Sequence, residues 1–197
     1  MSEPVEIKHG VRFTSYQQEP VKMGAHTTYV WKTDPKHILF MMARYKFVSK
    51  LLHGKNKVLE IGCGDAFPSV IVAQEVKILD CINQEPLFEK DNREWLKFFN
   101  NITFNVHDIV KDPLNDNYDA GYSLDVLEHI NPNDEEIFFL NICKALKPEG
   151  VLVIGTPNKD AAKYASAYSN KTHVNLKNYN ELKDIMGERF RNCLFFR

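Results

Sequence analysis

Apolar residues Ile38, Met41, Tyr45, Val48 and Leu52 recur at steps of three and four, in a run that opens on Asp34-Pro35 and stops at Gly54. That period is one face of an α-helix, and Asp34 stands where an N-cap belongs with proline in the first turn, so a helix is predicted over 34–52. The period then changes. Val58-Leu59-Glu60-Ile61 is a short apolar run ending in Gly62-Cys63-Gly64, and residues 68–74 regain helical character. The alternation repeats as strand 76–82, helix 86–99, strand 102–106, strand 118–124, helix 132–147 closed by Pro148 and Gly150, strand 151–155, helix 180–186 and a last strand 191–196. Strands alternating with helices imply parallel pairing, because a right-handed crossover needs the intervening helix. The predicted fold class is therefore α/β, doubly wound and Rossmann-like. Residues 1–33 have no clean period but carry Phe13, Tyr16, His26, Tyr29 and Trp31, and are read as a flexible or capping arm. The chain divides into an N-terminal arm and capping helix, 1–54, and a core, 55–197, within one compact domain.

Composition narrows the partners. The 197 residues hold 25 Lys+Arg against 26 Asp+Glu, a formal net charge of −1, so no basic excess points to a polyanion and no nucleic-acid partner is expected. Cys63, Cys81, Cys143 and Cys193 match neither a zinc spacing nor a redox pair, which suits a reducing cytoplasmic location. The segment MSEPVEIKHG has no apolar stretch after its charges, and the aliphatic run 151–154 is far too short for a bilayer, so neither a secretory leader nor a membrane partner is expected.

The glycine turn is the first candidate site. In doubly wound sheets the ligand crevice lies beyond the carboxyl ends of the strands, and Gly62 and Gly64 sit there. Glycine permits a sharp turn and close approach of a ligand to the backbone. A dinucleotide fingerprint would need a third glycine at position 67, where Phe67 stands, and no Walker Gly-Lys-Ser/Thr follows, so pyrophosphate binding is disfavoured. A purely structural turn remains the other reading of the Gly-x-Gly.

Four segments, in order, resemble class I S-adenosylmethionine-dependent methyltransferases, in the small-molecule branch that includes ubiquinone-type O-methyltransferases. They are Val-Leu-Glu-Ile-Gly-Cys-Gly-Asp at 58–65, Tyr118-Asp119 leading into Ser-Leu-Asp-Val-Leu-Glu-His at 123–129, Leu-Lys-Pro-Glu-Gly at 146–150, and Val-Leu-Val-Ile-Gly-Thr-Pro-Asn at 151–158. The resemblance covers roughly residues 55–190 and implies strand order 3-2-1-4-5-6, with the family's usual seventh, antiparallel strand missing. It implies S-adenosyl-L-methionine as cofactor, S-adenosyl-L-homocysteine as product, and a small-molecule acceptor. Backbone groups of Gly62, Cys63 and Gly64 would pack on its amino-acid and ribose parts, and Glu60 would hold the ammonium directly or through water, unless it only caps neighbouring amides. The family places an acid after the second strand for the ribose hydroxyls; here register puts Asn83 there, beside Gln84, with Asp80 and Glu85 as competitors. A neutral acceptor is weaker than a carboxylate. Asp108 matches the acid that accepts from the adenine amine, or serves as a helix cap, and Ile109 would stack on the ring. Ser123, Leu124 and Asp125 would lie where the methyl group points.

Methyl transfer is an in-line displacement, so alignment in a dry pocket is the enzyme's main contribution, and a sugar hydroxyl also needs a positioned base. His129, just past the fourth strand, and His173, after the fifth, are the candidate catalytic residues; each could instead be an ordinary loop histidine. Asp125, Glu128 and His129 offer oxygen and nitrogen donors close together, but hard cations usually want more carboxylates, and no metal is expected. Tyr164, Tyr168 and Tyr179, with Tyr29 and Trp31, suit a stacking acceptor or ordinary packing. The expected function is O-methylation of a small metabolite, a sugar or an aromatic; the alternative is a non-catalytic module that keeps the fold. The C-terminal sheet edge, with no seventh strand beside it, could join copies into a homo-oligomer.

Overall fold

Val58 and Glu60 point to one side of β1 (Lys57–Ile61), Leu59 and Ile61 to the other, and all four are buried, so the strand is covered on both faces. The computed structural model describes residues 23–196, so Phe13 and Tyr16 of the expected arm lie outside the described residues. Around β1 the sheet is parallel throughout: β2 (Ile78–Asn83) and β4 (Tyr118–Leu124) flank it, β3 (Ile102–Val106) pairs with β2, and β5 (Leu146–Gly155) with β4. The order is β3-β2-β1-β4-β5, the doubly wound arrangement with its switch between β1 and β4.

Two cores follow from the two faces. Helices α1 (Ala25–Thr33), α2 (Pro35–Leu51), α3 (Ser69–Ala73) and α4 (Glu89–Leu96) bury Val30, Ile38, Val48, Val72 and Trp95 in the cluster that holds Val58. On the opposite face α5 (Glu135–Ala145) and α7 (Tyr179–Gly187) bring Phe138, Phe139, Ile142 and Met186 onto Leu59 and Ile61, while the short α6 (Ala167–Thr172) lies in the connection after β5. Phe138 and Phe139 are fully buried, and each contributes about 2–3 kcal/mol by leaving water.

The structure corrects several expectations. Residues 191–196 form no strand, so the order stops at β5 and lacks the expected sixth member. Two of their side chains make ring contacts instead: the Phe195 ring stands 5.2 Å from that of Tyr179, and Phe196 stands 5.1 Å from Phe47 of α2. The helix expected to run through 147 ends at Ala145 and β5 begins at once at Leu146, because Pro148 disfavours helical backbone in the residue before it. Asp34 makes no side-chain cap. The arm is helical in α1, whose N-terminus finds its acceptor elsewhere in the chain, as described next.

Candidate active site

The turn after β1 is held from three sides. Gly62 and Gly64 adopt φ of +79° and +56°, conformations that disfavour a side chain. The N–H groups of Gly62 and Cys63 both donate to the Ile82 carbonyl at the end of β2. From α4, Asn92 Nδ2 donates to the Gly64 carbonyl at 3.0 Å and Trp95 Nε1 to that of Asp65 at 3.3 Å. From α1, the Thr27 backbone N–H and hydroxyl both donate to the buried Asp65 carboxylate. Asp65 thus caps a helix from across the fold, and Gly24 is required there because a Cβ would lie 2.2 Å from that of Asp65. The motif at 58–65 contains the glycines and Asp65 but not Asn92, Trp95 or Thr27, which lie tens of residues from the turn.

Two features leave room for a ligand. A Cβ at Gly64 would meet nothing within 4 Å, so the turn borders open space on that side. Asn83, at the end of β2, has a buried side-chain nitrogen with no partner, while its carbonyl accepts from His107 N. A buried amide N–H without an acceptor is costly in isolation, and a bound oxygen would satisfy it. Gln84 beside it is exposed. Asp108 stands one strand further along. Burial acts to raise its pKa, but the Lys111 ammonium at 2.8 Å and the Val110 N–H outweigh that and hold it below the usual range.

Three predicted residues bury their side chains. Glu60 is 1% exposed, and its oxygens accept from Tyr45 Oη at 2.7 Å, Tyr122 Oη at 2.8 Å and Cys81 Sγ at 3.3 Å. Burial pushes its carboxyl up, and both phenols are held well above their ordinary range, chiefly by burial, so they remain donors. Its partners are phenols and a thiol, so the capping of amides is not its role, and its oxygens point into the core under α2. Ile109 is 5% exposed and packs with Leu59 and Phe138 rather than presenting a face for stacking. Cys63 is buried, with burial raising its thiol pKa.

The other half of the site is the lip between β4 and β5. Ser123 Oγ donates to the Ile61 carbonyl, and Leu124 leads into Asp125, a non-glycine residue at φ +55°. Its N–H donates to the Gly155 carbonyl, and its carboxylate meets Arg44 of α2 at 2.5 Å. Arg44 lies outside the motifs, yet it is the one arginine of a helix that otherwise carries lysines and His37, and its fork-shaped donor suits a carboxylate. Glu128 is buried, with one oxygen accepting from Thr156 Oγ1 at 3.1 Å and the other without a partner. Burial pushes its pKa up to about 7, with Asp125 adding to the rise and Arg44 opposing it.

His129 and His173 meet edge to face, ring centroids 5.0 Å apart. The contact of His129 Nδ1 with the Thr172 carbonyl at 3.0 Å requires that nitrogen to carry a proton, which leaves Nε2 as the acceptor of the neutral ring. Burial and the neighbouring His129 lower the pKa of His173, against an opposing pull from Asp125. A carboxylate oxygen of Glu128 and a nitrogen from each ring fall within 4.8 Å of one another, a set of donors in which His173 stands where the sequence suggested Asp125. The two histidines singled out separately in the sequence are thus one pair. The aromatic residues do not converge: Tyr29, Trp31 and Tyr164 are mostly exposed, Tyr179 packs on Phe195, and the side chain of Tyr168 lies outside the described residues.

Comparison with known proteins gives the family and the fold. The family described as "Methyltransferase domain" matches residues 34–190. The ubiquinone biosynthesis O-methyltransferase of Rickettsia akari (strain Hartford) is 25% identical over 118 residues, which cover 56% of this chain and 44% of that protein. The chain therefore spans less than half the length of this curated relative. Among solved structures, the N-methyltransferase NodS from Bradyrhizobium japonicum WM9, in complex with S-adenosyl-l-homocysteine, aligns with TM-score 0.56 and 21% identity over 73% of this chain and 76% of that one. The DhpI-SAH complex aligns with TM-score 0.64 and 14% identity over 83% and 81%. Identities this low speak to the fold.

Proposed function

The chain belongs to the methyltransferase-domain family, among the class I S-adenosylmethionine-dependent methyltransferases, and from that we propose that it methylates a hydroxyl group of a small molecule. S-adenosyl-L-methionine supplies an electrophilic methyl group on a sulfonium. The residues present fit it: the open side of Gly64 leaves room for its amino-acid and ribose parts, and the unpartnered Asn83 amide awaits an oxygen at the position expected for the ribose. Asp108 would accept from the adenine amine, with Lys111 retained on its other side. Ser123, Leu124 and Asp125 would border the methyl end, and Arg44, with only one guanidinium nitrogen occupied by Asp125, keeps donors for an anionic group.

The observation that carries the reading is the histidine pair at the β4–β5 lip. With Nδ1 donating to the Thr172 carbonyl, His129 turns Nε2 toward an acceptor hydroxyl, and the lowered pKa of His173 keeps that ring uncharged, and so able to take a proton, at neutral pH. The lip is polar, with Asp125, Glu128, His129, Thr156 and His173 around it, and the tyrosines that would sandwich a flat ring are dispersed. That favours a sugar-like acceptor over an aromatic one.

The test pairs binding with turnover. S-adenosyl-L-homocysteine is titrated calorimetrically into the wild type and His173→Asn, and methyl transfer from labelled cofactor is then measured against panels of sugars and phenols. Equal cofactor affinity with transfer to sugars lost in the variant supports the reading. Transfer to phenols alone, or unchanged turnover in His173→Asn and His129→Asn alike, rejects it.

A further inference from the structure

Helix α2 is apolar on both sides. Ile38, Met41, Tyr45 and Val48 face the core, as an amphipathic helix requires, yet Leu39 and Phe40 are 69% and 68% exposed and Phe47 and Leu51 are more than two-fifths exposed. On helical spacing these four fall on the side opposite the buried stripe. Phe196 covers part of Phe47, and α1 adds the exposed rings of Tyr29 and Trp31. A run of large apolar side chains of this kind marks a surface that meets something.

Charge says what. Residues 23–52 hold Lys32, Lys36, Arg44, Lys46 and Lys50 against the single carboxylate of Asp34, in a chain whose net charge is −1. Arg44 turns inward to Asp125 and Lys50 pairs with Glu75, while Lys32, Lys36 and Lys46 have no ion-pair partner among the described residues. Lys36 and Lys46 share the outward side of α2 with Leu39 and Phe40. Exposed apolar residues interspersed with lysines are the pattern of helices that lie in the headgroup region of anionic bilayers. A second copy brought against this face would set like charges together, whereas an anionic surface neutralises them.

We propose that the outer surface of α1 and α2 docks on an anionic phospholipid membrane. The sequence expectation of no membrane partner rested on the lack of a spanning segment, and no helix of the described residues is long and apolar enough to cross a bilayer. A helix lying flat on the surface needs neither property.

The full chain is sedimented with vesicles of phosphatidylcholine and with vesicles that also contain phosphatidylglycerol. Binding to the second kind only, falling as salt is raised, is the expected result. The double substitution Leu39→Asp and Phe40→Asp abolishes it while leaving the thermal melt and S-adenosyl-L-homocysteine affinity at wild-type values. Lys36→Ala and Lys46→Ala each weaken it by roughly five-fold, since each lysine near such a surface contributes about that factor. Absence of binding to either vesicle, equal binding to both, or binding untouched by the double substitution overturns the proposal. So does a wild-type dimer in sedimentation velocity that Phe40→Asp converts to monomer, which would assign the face to a second copy.

Discussion

The Asp65 carboxylate accepts the backbone N–H of Thr27 at 2.7 Å and its hydroxyl at 3.0 Å, which joins the glycine turn to the first turn of α1 by two bonds to one residue. A single side chain therefore couples the cofactor-side loop to the helix above it. Asp65→Ala leaves a buried N–H and hydroxyl without an acceptor, and unfolding in urea should show a loss of about 1–3 kcal/mol. Amide exchange in α1 should accelerate in the same variant more than exchange in β1, since the capping contact is local to α1.

Gly62 and Gly64 share a left-handed backbone but differ in what surrounds them. A Cβ at Gly62 would lie 2.3 Å from Val126 Cγ2, while one at Gly64 meets nothing within 4 Å. Gly62→Ala combines about 1–2 kcal/mol of backbone strain with overpacking of similar size, so its melting temperature should fall clearly. Gly64→Ala bears only the strain and should fold, yet its methyl group enters the space assigned to the cofactor. Calorimetry should then show S-adenosyl-L-homocysteine binding weakened in Gly64→Ala beyond what its small stability loss explains.

Asn83 presents a buried amide nitrogen without a partner at the proposed ribose position. Replacing it by aspartate restores a charged acceptor for two hydroxyls, and such bonds are roughly twice as strong as neutral ones. Asn83→Asp should bind S-adenosyl-L-homocysteine several-fold more tightly, and Asn83→Ala about ten-fold more weakly, by calorimetry.

Glu128 gives a pH signature. Burial raises its pKa from 4.5 to about 7 in the folded chain. Between those values the native state holds a proton that the unfolded state has released, so stability falls as pH rises through that window, by about 3 kcal/mol in all. Glu128→Gln removes this dependence. Urea unfolding at pH 5 and pH 7 should therefore show a smaller loss in the variant than in the wild type. A difference of the opposite sign would mean that Glu128 is ionised in the native state throughout.

The histidine pair gives a kinetic one. Because the pKa of His173 is lowered, its neutral form persists further into acid than an ordinary imidazole near 6.5. The acid limb of kcat/KM should fall below that value, and His173→Asn should lower turnover by about 10²–10⁴ if the ring removes the acceptor proton.

Local periodicity made most of the fold legible. Strands β3 and β4 and the helix over 35–51 carry strong alternation or three-four spacing, and their bounds match the sequence within a residue or two. The failures have physical causes. Residues 191–196 read as a strand because Leu194, Phe195 and Phe196 are apolar, but a strand needs a ladder partner; Phe195 and Phe196 meet Tyr179 and Phe47 instead, and Leu194 is exposed. Helix α1 escaped notice because its cap comes from Asp65, 38 residues away from Thr27. In the candidate site, motif spacing picked out the glycine turn and His129, and His173 came from its place after the fifth strand. Motif spacing missed Arg44, which long-range packing carries to the lip, it gave Thr156 of the 151–158 motif no role, and it could not show that Tyr45 and Tyr122 occupy the oxygens of Glu60.

The outer margin of β5 has a colloidal consequence. Among the described residues no strand lies beyond it, and the stretch Gly-Val-Leu-Val-Ile-Gly at 150–155 contains neither charge nor proline. Natural sheets commonly guard such margins with lysine, proline or a bulge, and here Lys147, Pro148 and the register shift opposite Tyr118 and Ala120 guard only the start of the strand. When the protein is concentrated, this is where molecules would begin to stack into larger sheets, and one lysine introduced at Val151, already two-fifths exposed, is the least disruptive way to keep it in solution.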